Sequence, residues 1–176
     1  TAPTITYTVE DGIINEQGWA KEDFIVTINV KDNSGHGIDS FNVCTATTDT
    51  CDPSTGSTIE GITGTREIVT EDSNNRICVS VTDKAGETST LCSAAYKLDK
   101  TDPVVGAIQV NGSTTIEDWY TEDVTIEVVE GTDSLSGHLS TTSNITSITE
   151  NTNGTTVTVT TTDKAGNTST KDYAIK

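Results

Sequence analysis

Apolar and polar residues alternate along much of this chain, in runs short enough to be single strands. Residues 25–30 (IVTINV) and 157–159 (VTV) show this alternation, and Asp, Asn, Gly and Ser bound the runs. A period of two places the apolar side chains on one face, so the pattern predicts antiparallel sheets with one solvated face. No stretch carries apolar residues at helical spacing over three turns, and we therefore expect no substantial helix.

One sequence pattern occurs twice along the chain. Each copy has a Thr-x-Pro start (1–3, 101–103), a tryptophan before an alternating strand (Trp19, Trp119), a Ser-Gly-His triplet (34–36, 136–138) and a shared ending (82–90, 162–170). The two endings, TDKAGETST and TDKAGNTST, agree at eight of nine positions. A repeat of this strength predicts two sister domains.

The spacing within the repeat locates an insertion in the first copy. The tryptophans lie 100 positions apart and the Asp-Lys-Ala-Gly turns only 80, so the first copy holds about twenty extra residues. We place them at 45–63 as a long loop or an extra hairpin. Each copy offers six or seven short strands, which predicts two tandem Greek-key β-sandwiches, at 1–99 and 100–176.

The shared ending contains a turn signal in both copies. Residues 83–87 (DKAGE) predict a three-residue hairpin loop with Gly86 in the left-handed conformation, and Gly166 takes the same place in the second copy. This turn sets Val79 opposite Leu91 and predicts a largely apolar inner row across the last two strands.

The four cysteines all lie in the first copy. The same hairpin register sets Cys78 opposite Cys92 on the outer face, which favours a disulfide between them. Cys44 and Cys51 bracket six residues at the start of the insertion, and a local bridge would close that loop. A Cys44–Cys78 bridge is the rival pairing. The sequence has no Cys-x-x-Cys motif that would indicate a zinc site. Oxidised cysteines predict an extracellular location, at the cell surface or secreted.

The repeated ending, the tryptophan before a strand and the junction Asp-Lys-Thr-Asp-Pro (99–103) resemble the bacterial immunoglobulin-like repeats of large, mostly Gram-positive, surface proteins. The resemblance covers essentially the whole chain. It implies immunoglobulin-like sandwiches that act as a stalk or spacer and present another domain away from the cell. It brings no catalytic residues, and its implied partners are neighbouring repeats of the same chain.

The charge of the chain excludes one class of partner. Ten Lys and Arg against 27 Asp and Glu give a net charge of −17, so no basic patch is available for nucleic acid. No run of eighteen apolar residues occurs, and we expect no membrane insertion. We expect a monomer, and the abrupt start at Thr1 leads us to expect a segment of a longer protein.

Two kinds of residue have both a structural and a functional interpretation. Trp19 and Trp119 are favoured as plugs at the sandwich ends over platforms for sugar stacking. The histidines His36 and His138 hold matched places in their triplets, which predicts a turn or loop position for both. No grouping of Ser, His and Asp predicts an enzyme. The insertion offers the alternative function, which is recognition of a host glycan or protein.

Four aspartates are the candidates for calcium binding. They stand in the two repeated turns, at Asp83 and Asp163, and in the linker, at Asp99 and Asp102. Calcium takes six to eight oxygen ligands, which an acidic chain can supply. An aspartate that opens a tight turn also caps its own backbone, and this interpretation is favoured over calcium.

Overall fold

The computed structural model describes residues 1–176, which divide into two compact units, Thr1–Lys100 and Thr101–Lys176. The predicted division lies one residue earlier. Antiparallel strands make up both units, and the helical content is a single 3-10 turn at Pro53–Thr55, so the all-β class is confirmed. No helix has the length and apolarity needed to cross a membrane.

The first unit contains eight strands: β1 (Thr4–Val9), β2 (Phe24–Lys31), β3 (Ser40–Ala46), β4 (Ser57–Glu60), β5 (Thr63–Ile68), β6 (Asp72–Thr82), β7 (Thr88–Cys92) and β8 (Tyr96–Leu98). One sheet has the order β1-β2-β5 and the other the order β4-β3-β6-β7. Strand β8 pairs with the first half of β6, beyond the end of β7. All these pairings are antiparallel.

The core of the first unit lies between these two sheets. Strand β2 alternates as its sequence predicts, and Val26, Ile28 and Val30 are each at most 2% exposed. They share one apolar cluster with Phe41 of β3 and Val79 of β6. Burying alternate side chains of both sheets against one another is what holds a sandwich of this kind together.

The hairpin of β6 and β7 has the predicted register but not the predicted burial. Val79 lies opposite Leu91, yet Leu91 is 46% exposed. The expectation of an apolar inner row is therefore wrong at Leu91, because β7 is the last strand of its sheet. Strand β1 and the residue before it hold this edge through two hydrogen bonds. The Tyr7 hydroxyl donates to the Leu91 carbonyl (2.6 Å), and the Ser89 hydroxyl donates to the Pro3 carbonyl (2.5 Å).

The second unit contains six strands: β9 (Ala107–Val110), β10 (Val124–Val129), β11 (His138–Ser143), β12 (Ser147–Ile148), β13 (Thr155–Asp163) and β14 (Thr168–Ile175). They form the sheets β12-β10-β9 and β11-β13-β14. Its core is smaller and consists of Ile108, Val110, Val124, Ile126, Val157, Val159 and Ile175.

Two equivalent core positions carry different kinds of side chain in the two units. In the first unit Phe41 lies opposite Val81. The repeat brings Thr141 and Thr161 to the equivalent places, and these two also lie opposite one another. Both threonines are buried, at 8% and 0% exposed. The second unit therefore fills with hydroxyls a region that the first unit fills with an aromatic and an aliphatic side chain.

A closed hydrogen-bond network satisfies these buried hydroxyls. The Gly106 amide donates to Thr161 Oγ1 (2.9 Å), the Gly131 amide donates to Thr141 Oγ1 (2.9 Å), and the two hydroxyl oxygens are 3.1 Å apart. Glycine allows this close approach, because a Cβ at Gly106 would lie 2.1 Å from the Val129 carbonyl oxygen. The network pairs every buried polar group that it contains, as a buried polar cluster requires.

Replacing Thr161 by valine is expected to destabilise the second unit by about 1–3 kcal/mol, because the near-isosteric change leaves the buried Gly106 amide without an acceptor. Urea unfolding followed by circular dichroism, with hydrogen exchange at the Gly106 amide, measures the effect. Thr160→Val is the matched control on the other face of the same strand, expected to change stability by less than about 0.5 kcal/mol. Equal losses for the two variants would contradict the role of the network.

Candidate functional site

Two disulfides lie side by side on the second sheet of the first unit. They join Cys44 to Cys51 and Cys78 to Cys92, and no free cysteine remains. These are the pairs that the hairpin register and loop spacing favour. Strand pairing sets Cys44 opposite Cys78 and Cys78 opposite Cys92, so three cysteines form one row across β3, β6 and β7. The rival Cys44–Cys78 bridge is thus compatible with the pairing of the strands but is not formed.

The inserted segment returns along the β3 side of this row, where its 3-10 turn packs against β3 and β6. After the Cys44–Cys51 bridge, the Asp52 side chain accepts from the Ser54 amide and starts the 3-10 turn, in which Pro53 is buried. The chain then returns as β4 along the edge of β3. Cys78 is on the predicted outer face but is 0% exposed. An outer position does not make it accessible, because β3 and β7 flank it and the 3-10 turn packs against β3 and β6.

The exposed surface of the insertion carries few kinds of side chain. Residues 45–63 contain no aromatic side chain and no lysine or arginine, and consist mainly of Thr, Ser, Asp and Gly. Of its apolar side chains, Ile59 packs against the core and Ile62 is 55% exposed. The segment offers hydroxyls and carboxylates to solvent without a platform on which a sugar ring stacks.

The repeated turn is built by its own aspartate in both units. Asp83 Oδ1 accepts from the amides of Ala85 and Glu87, each at 2.9 Å. Asp163 Oδ1 accepts from the amides of Gly166 and Asn167, at 2.7 and 2.9 Å. The hydrogen bond from the Glu87 amide favours the ionised form of the Asp83 carboxylate and is the main reason that the pKa of Asp83 lies below its usual value.

The two turn glycines have the predicted conformation. Gly86 has a φ of 87° and Gly166 a φ of 94°, in the left-handed region that glycine adopts without steric cost. In both units the turn docks on a second loop, because the Lys84 amide donates to the Gly37 carbonyl and the Lys164 amide to the Gly137 carbonyl.

That second loop is also closed by an aspartate. The Gly37 amide donates to Asp32 Oδ2 (2.8 Å) and the Gly137 amide to Asp133 Oδ2 (2.7 Å). In the first unit the Ser34 hydroxyl oxygen lies between two carboxylates, 2.7 Å from Asp32 Oδ1 and 2.9 Å from Asp83 Oδ2. Amide and hydroxyl donors hold the pKa of Asp32 well below its usual range, and the Gly37 amide contributes most. Sequence reasoning missed Asp32 and Asp133, whose signal is an aspartate four or five residues before a docking glycine.

This docking corrects the alignment of the Ser-Gly-His triplets. Gly37, and not Gly35, is the counterpart of Gly137, so the two histidines are not equivalent. His36 precedes the docking glycine and is exposed, with Nδ1 2.9 Å from the Ser34 hydroxyl. His138 follows it as the first residue of β11, with Nε2 2.6 Å from Glu130 Oε2 and 2.9 Å from Thr141 Oγ1. The first unit has one more residue than the second between the loop-closing aspartate and the docking glycine, so matching the triplets by sequence aligns the two histidines incorrectly.

Two of the four calcium candidates have structural roles within their own units. The carboxylates of Asp83 and Asp163 already accept hydrogen bonds from their turns. The Asp99 amide donates to the Ala20 carbonyl (3.0 Å) in the first unit, and Asp102 is exposed at the start of the second. Calcium binding at these four residues stays a prediction.

The two tryptophans differ in their surroundings. Trp19 is 6% exposed, whereas Trp119 is 60% exposed and departs from the predicted plug. A lysine lies over each ring: Lys97 Nζ is 5.6 Å from the Trp19 centroid and Lys176 Nζ is 5.8 Å from that of Trp119. Trp119 borders a cavity of about 400 Å³ at one end of the second unit. In the first unit Leu98 of β8 lies at the equivalent end and is fully buried.

Comparison with known proteins identifies no family. No protein-family model and no curated protein matches the chain. It is similar to a solved structure from a 1.5-MDa bacterial ice-binding adhesin, with a TM-score of 0.48 and 19% identity over 100% of this chain and 64% of that chain. It is also similar to the fibronectin(III)-like modules of Clostridium thermocellum CbhA, with a TM-score of 0.43 and 10% identity over 97% of this chain and 93% of that chain. Neither likeness is close enough to assign a family.

Proposed function

We propose that this chain is a pair of immunoglobulin-like, Greek-key modules that act as a non-catalytic spacer in a bacterial surface or secreted protein and present another domain away from the cell. The observation that carries the proposal is the use of the repeated acidic residues. Asp32, Asp83, Asp133 and Asp163 all accept hydrogen bonds from backbone amides. The feature repeated in both units is therefore a set of aspartate–amide hydrogen bonds that close the loops of a sandwich.

Further features support a role outside the cytoplasm. Two disulfides brace the first unit, and disulfides persist in oxidising environments. The net charge of −17 keeps the chain soluble and disfavours association with other anionic surfaces. The strand orders β1-β2-β5 and β4-β3-β6-β7 suit a Greek-key sandwich. The expected partners are neighbouring repeats of the same chain, and each molecule is expected to be a monomer.

A surface-display experiment tests the spacer function. One, two or three copies of the whole chain are placed between a membrane anchor and an epitope tag, and binding of antibody-coated beads to the tag is measured. Folded units in series are expected to add reach in proportion to their number. Gly/Ser linkers of equal length are the control, because their reach grows only as the square root of residue number. Bead binding that follows the Gly/Ser series would contradict a spacer.

The insertion carries the second candidate function, recognition of a host glycan or protein. The Cys44–Cys51 bridge and the edge strand β4 hold this segment on the sheet, and a rigid loop on a sandwich is a common binding element. Glycan arrays and host-matrix proteins are the probes. Loss of binding when the exposed residues Thr47, Asp49 and Thr50 are replaced by serine or alanine would support adhesion, and serine replacements of exposed threonines in the second unit are the control.

A further inference from the structure

The cavity beside Trp119 is a groove with an apolar floor and an acidic rim. Val124, Ile148 and Ile175 line its floor, and all three belong to or pack against the core of the second unit. The rim carries the carboxylates Glu122, Asp123 and Glu150, with further lining by Asn151, Thr152 and Asn153. A groove of this composition fits a ligand that has one apolar group and one cation.

The first unit contains the same groove with an occupant. The Ala20 amide donates to the Lys97 carbonyl (2.9 Å), as the Tyr120 amide does to the Lys176 carbonyl (2.7 Å). The next residue, Leu98, forms an isolated parallel β-bridge with Ala20. Its side chain is 0% exposed and belongs to the core cluster of the first unit. The residue that fills this end of the first unit therefore follows immediately after the lysine that both units share.

Strand registers show independently that the two grooves correspond. Tyr96 lies opposite Asn75, and Ile175 lies opposite Thr155, which is 80 positions after Asn75. This is the same spacing of 80 that relates the two Asp-Lys-Ala-Gly turns. The floor agrees as well, since Phe24 pairs with Ile68 as Val124 pairs with Ile148.

The register also identifies the position in the second unit that is equivalent to the one opposite Leu98. Leu98 lies opposite Asp72. The position 80 residues after Asp72 is Thr152, which lines the open groove. An extended segment in line with β14 would thus bring its first residue to Thr152 and above the apolar floor.

The acidic rim has its counterpart in an ion pair of the first unit. Lys100 Nζ donates to Asp23 Oδ1 (2.8 Å) and to the Val69 carbonyl (3.2 Å). The equivalent positions in the second unit, Asp123 and Thr149, both line the groove. An apolar residue and a cation two residues beyond it would therefore both find the surroundings that Leu98 and Lys100 have.

We propose that the groove beside Trp119 is an acceptor site for an extended peptide of the type Leu-x-Lys, which runs in line with β14, buries its leucine on Val124, Ile148 and Ile175, and pairs its lysine with Asp123. A sugar is the less suitable occupant, because Lys176 already lies over the Trp119 ring as Lys97 lies over Trp19.

The test appends Leu-Asp-Lys, the sequence of residues 98–100, after Lys176 of the whole chain. A Trp19→Phe background leaves Trp119 as the single tryptophan. We expect the melting temperature of the second unit to rise by about 5 °C or more, because a core position is filled in a small domain. We also expect Trp119 emission to move to shorter wavelength as the groove closes over its edge.

Two altered tails separate the apolar and the ionic contributions. Ser-Asp-Lys is expected to give less than half of the rise, and Leu-Asp-Ala an intermediate value. Asp123→Asn is expected to remove the difference between the Leu-Asp-Lys and Leu-Asp-Ala tails. In the first unit, Leu98→Ser is expected to lower the melting temperature by a similar amount.

Equal melting temperatures for the leucine and serine tails would overturn the proposal. So would an oligosaccharide that shifts Trp119 emission while the Leu-Asp-Lys tail leaves it unchanged, since the groove would then be a sugar site. None of these outcomes depends on the spacer function, which the bead-binding experiment tests separately.

Discussion

Replacing Phe41 by alanine is expected to destabilise the first unit by about 3–5 kcal/mol, a large share of the stability of a domain of this size. Phe41 is 2% exposed and is among the largest fully buried side chains of the chain. It lies opposite Val81 on one side and Ile59 of β4 on the other. Rigid strands on both sides limit collapse of the cavity, so most of the lost packing is not recovered.

Urea unfolding followed by Trp19 fluorescence in a Trp119→Phe background measures this loss. Phe41→Leu is the conservative control and is expected to cost less than half as much, because it keeps most of the buried volume. The second unit, which has Thr141 at the equivalent position, is expected to unfold unchanged in both variants. A loss below about 1 kcal/mol for Phe41→Ala would show that the interior of the first unit is not packed around this ring.

Removing the Cys78–Cys92 disulfide, by replacing both cysteines with alanine, is expected to destabilise the first unit by about 3 kcal/mol. The bridge joins residues 14 apart in sequence, and closing a loop of this length restricts the unfolded chain by about that free energy. The strand pairing of β6 and β7 surrounds the bridge, so the folded state is expected to survive its loss with the same sheet.

The other bridge supplies the comparison. Cys44 and Cys51 are 7 apart in sequence, so alanine replacements there are expected to cost slightly less, about 2.5 kcal/mol. Calorimetry of the two double variants measures both effects. The second unit has no cysteine, and its transition is the internal control, expected to be the same with and without a reducing agent. A smaller loss for Cys78–Cys92 than for Cys44–Cys51 would contradict the loop-closure account.

Local pattern was enough to predict the strands that carry the sandwich and the turn that joins β6 to β7. The alternation in 25–30 predicted the burial of Val26, Ile28 and Val30, because in a two-faced strand the sequence order and the burial order are the same. The Asp83–Gly86 turn predicted the pairing of Cys78 with Cys92, because turn length fixes register along the whole hairpin.

The side-chain burial that the local pattern did not predict depends on residues distant in sequence. Leu91 looks like a core residue, but it is exposed because β7 is an edge strand. Thr141 and Thr161 look like solvent-side residues of a strand, and their burial depends on Gly106 and Gly131 approaching closely from elsewhere in the unit.

The edge strand β4 has a consequence for how densely such modules can be crowded. An unpaired strand edge is a template on which another chain can add its own strand. In the second unit β11 is the last strand of its sheet, with six residues along that edge. In the first unit the insertion covers the equivalent β3 and leaves only the four residues of β4 at the border. The added segment thus protects one repeat against intermolecular strand exchange, a hazard that grows when many similar units are held close together.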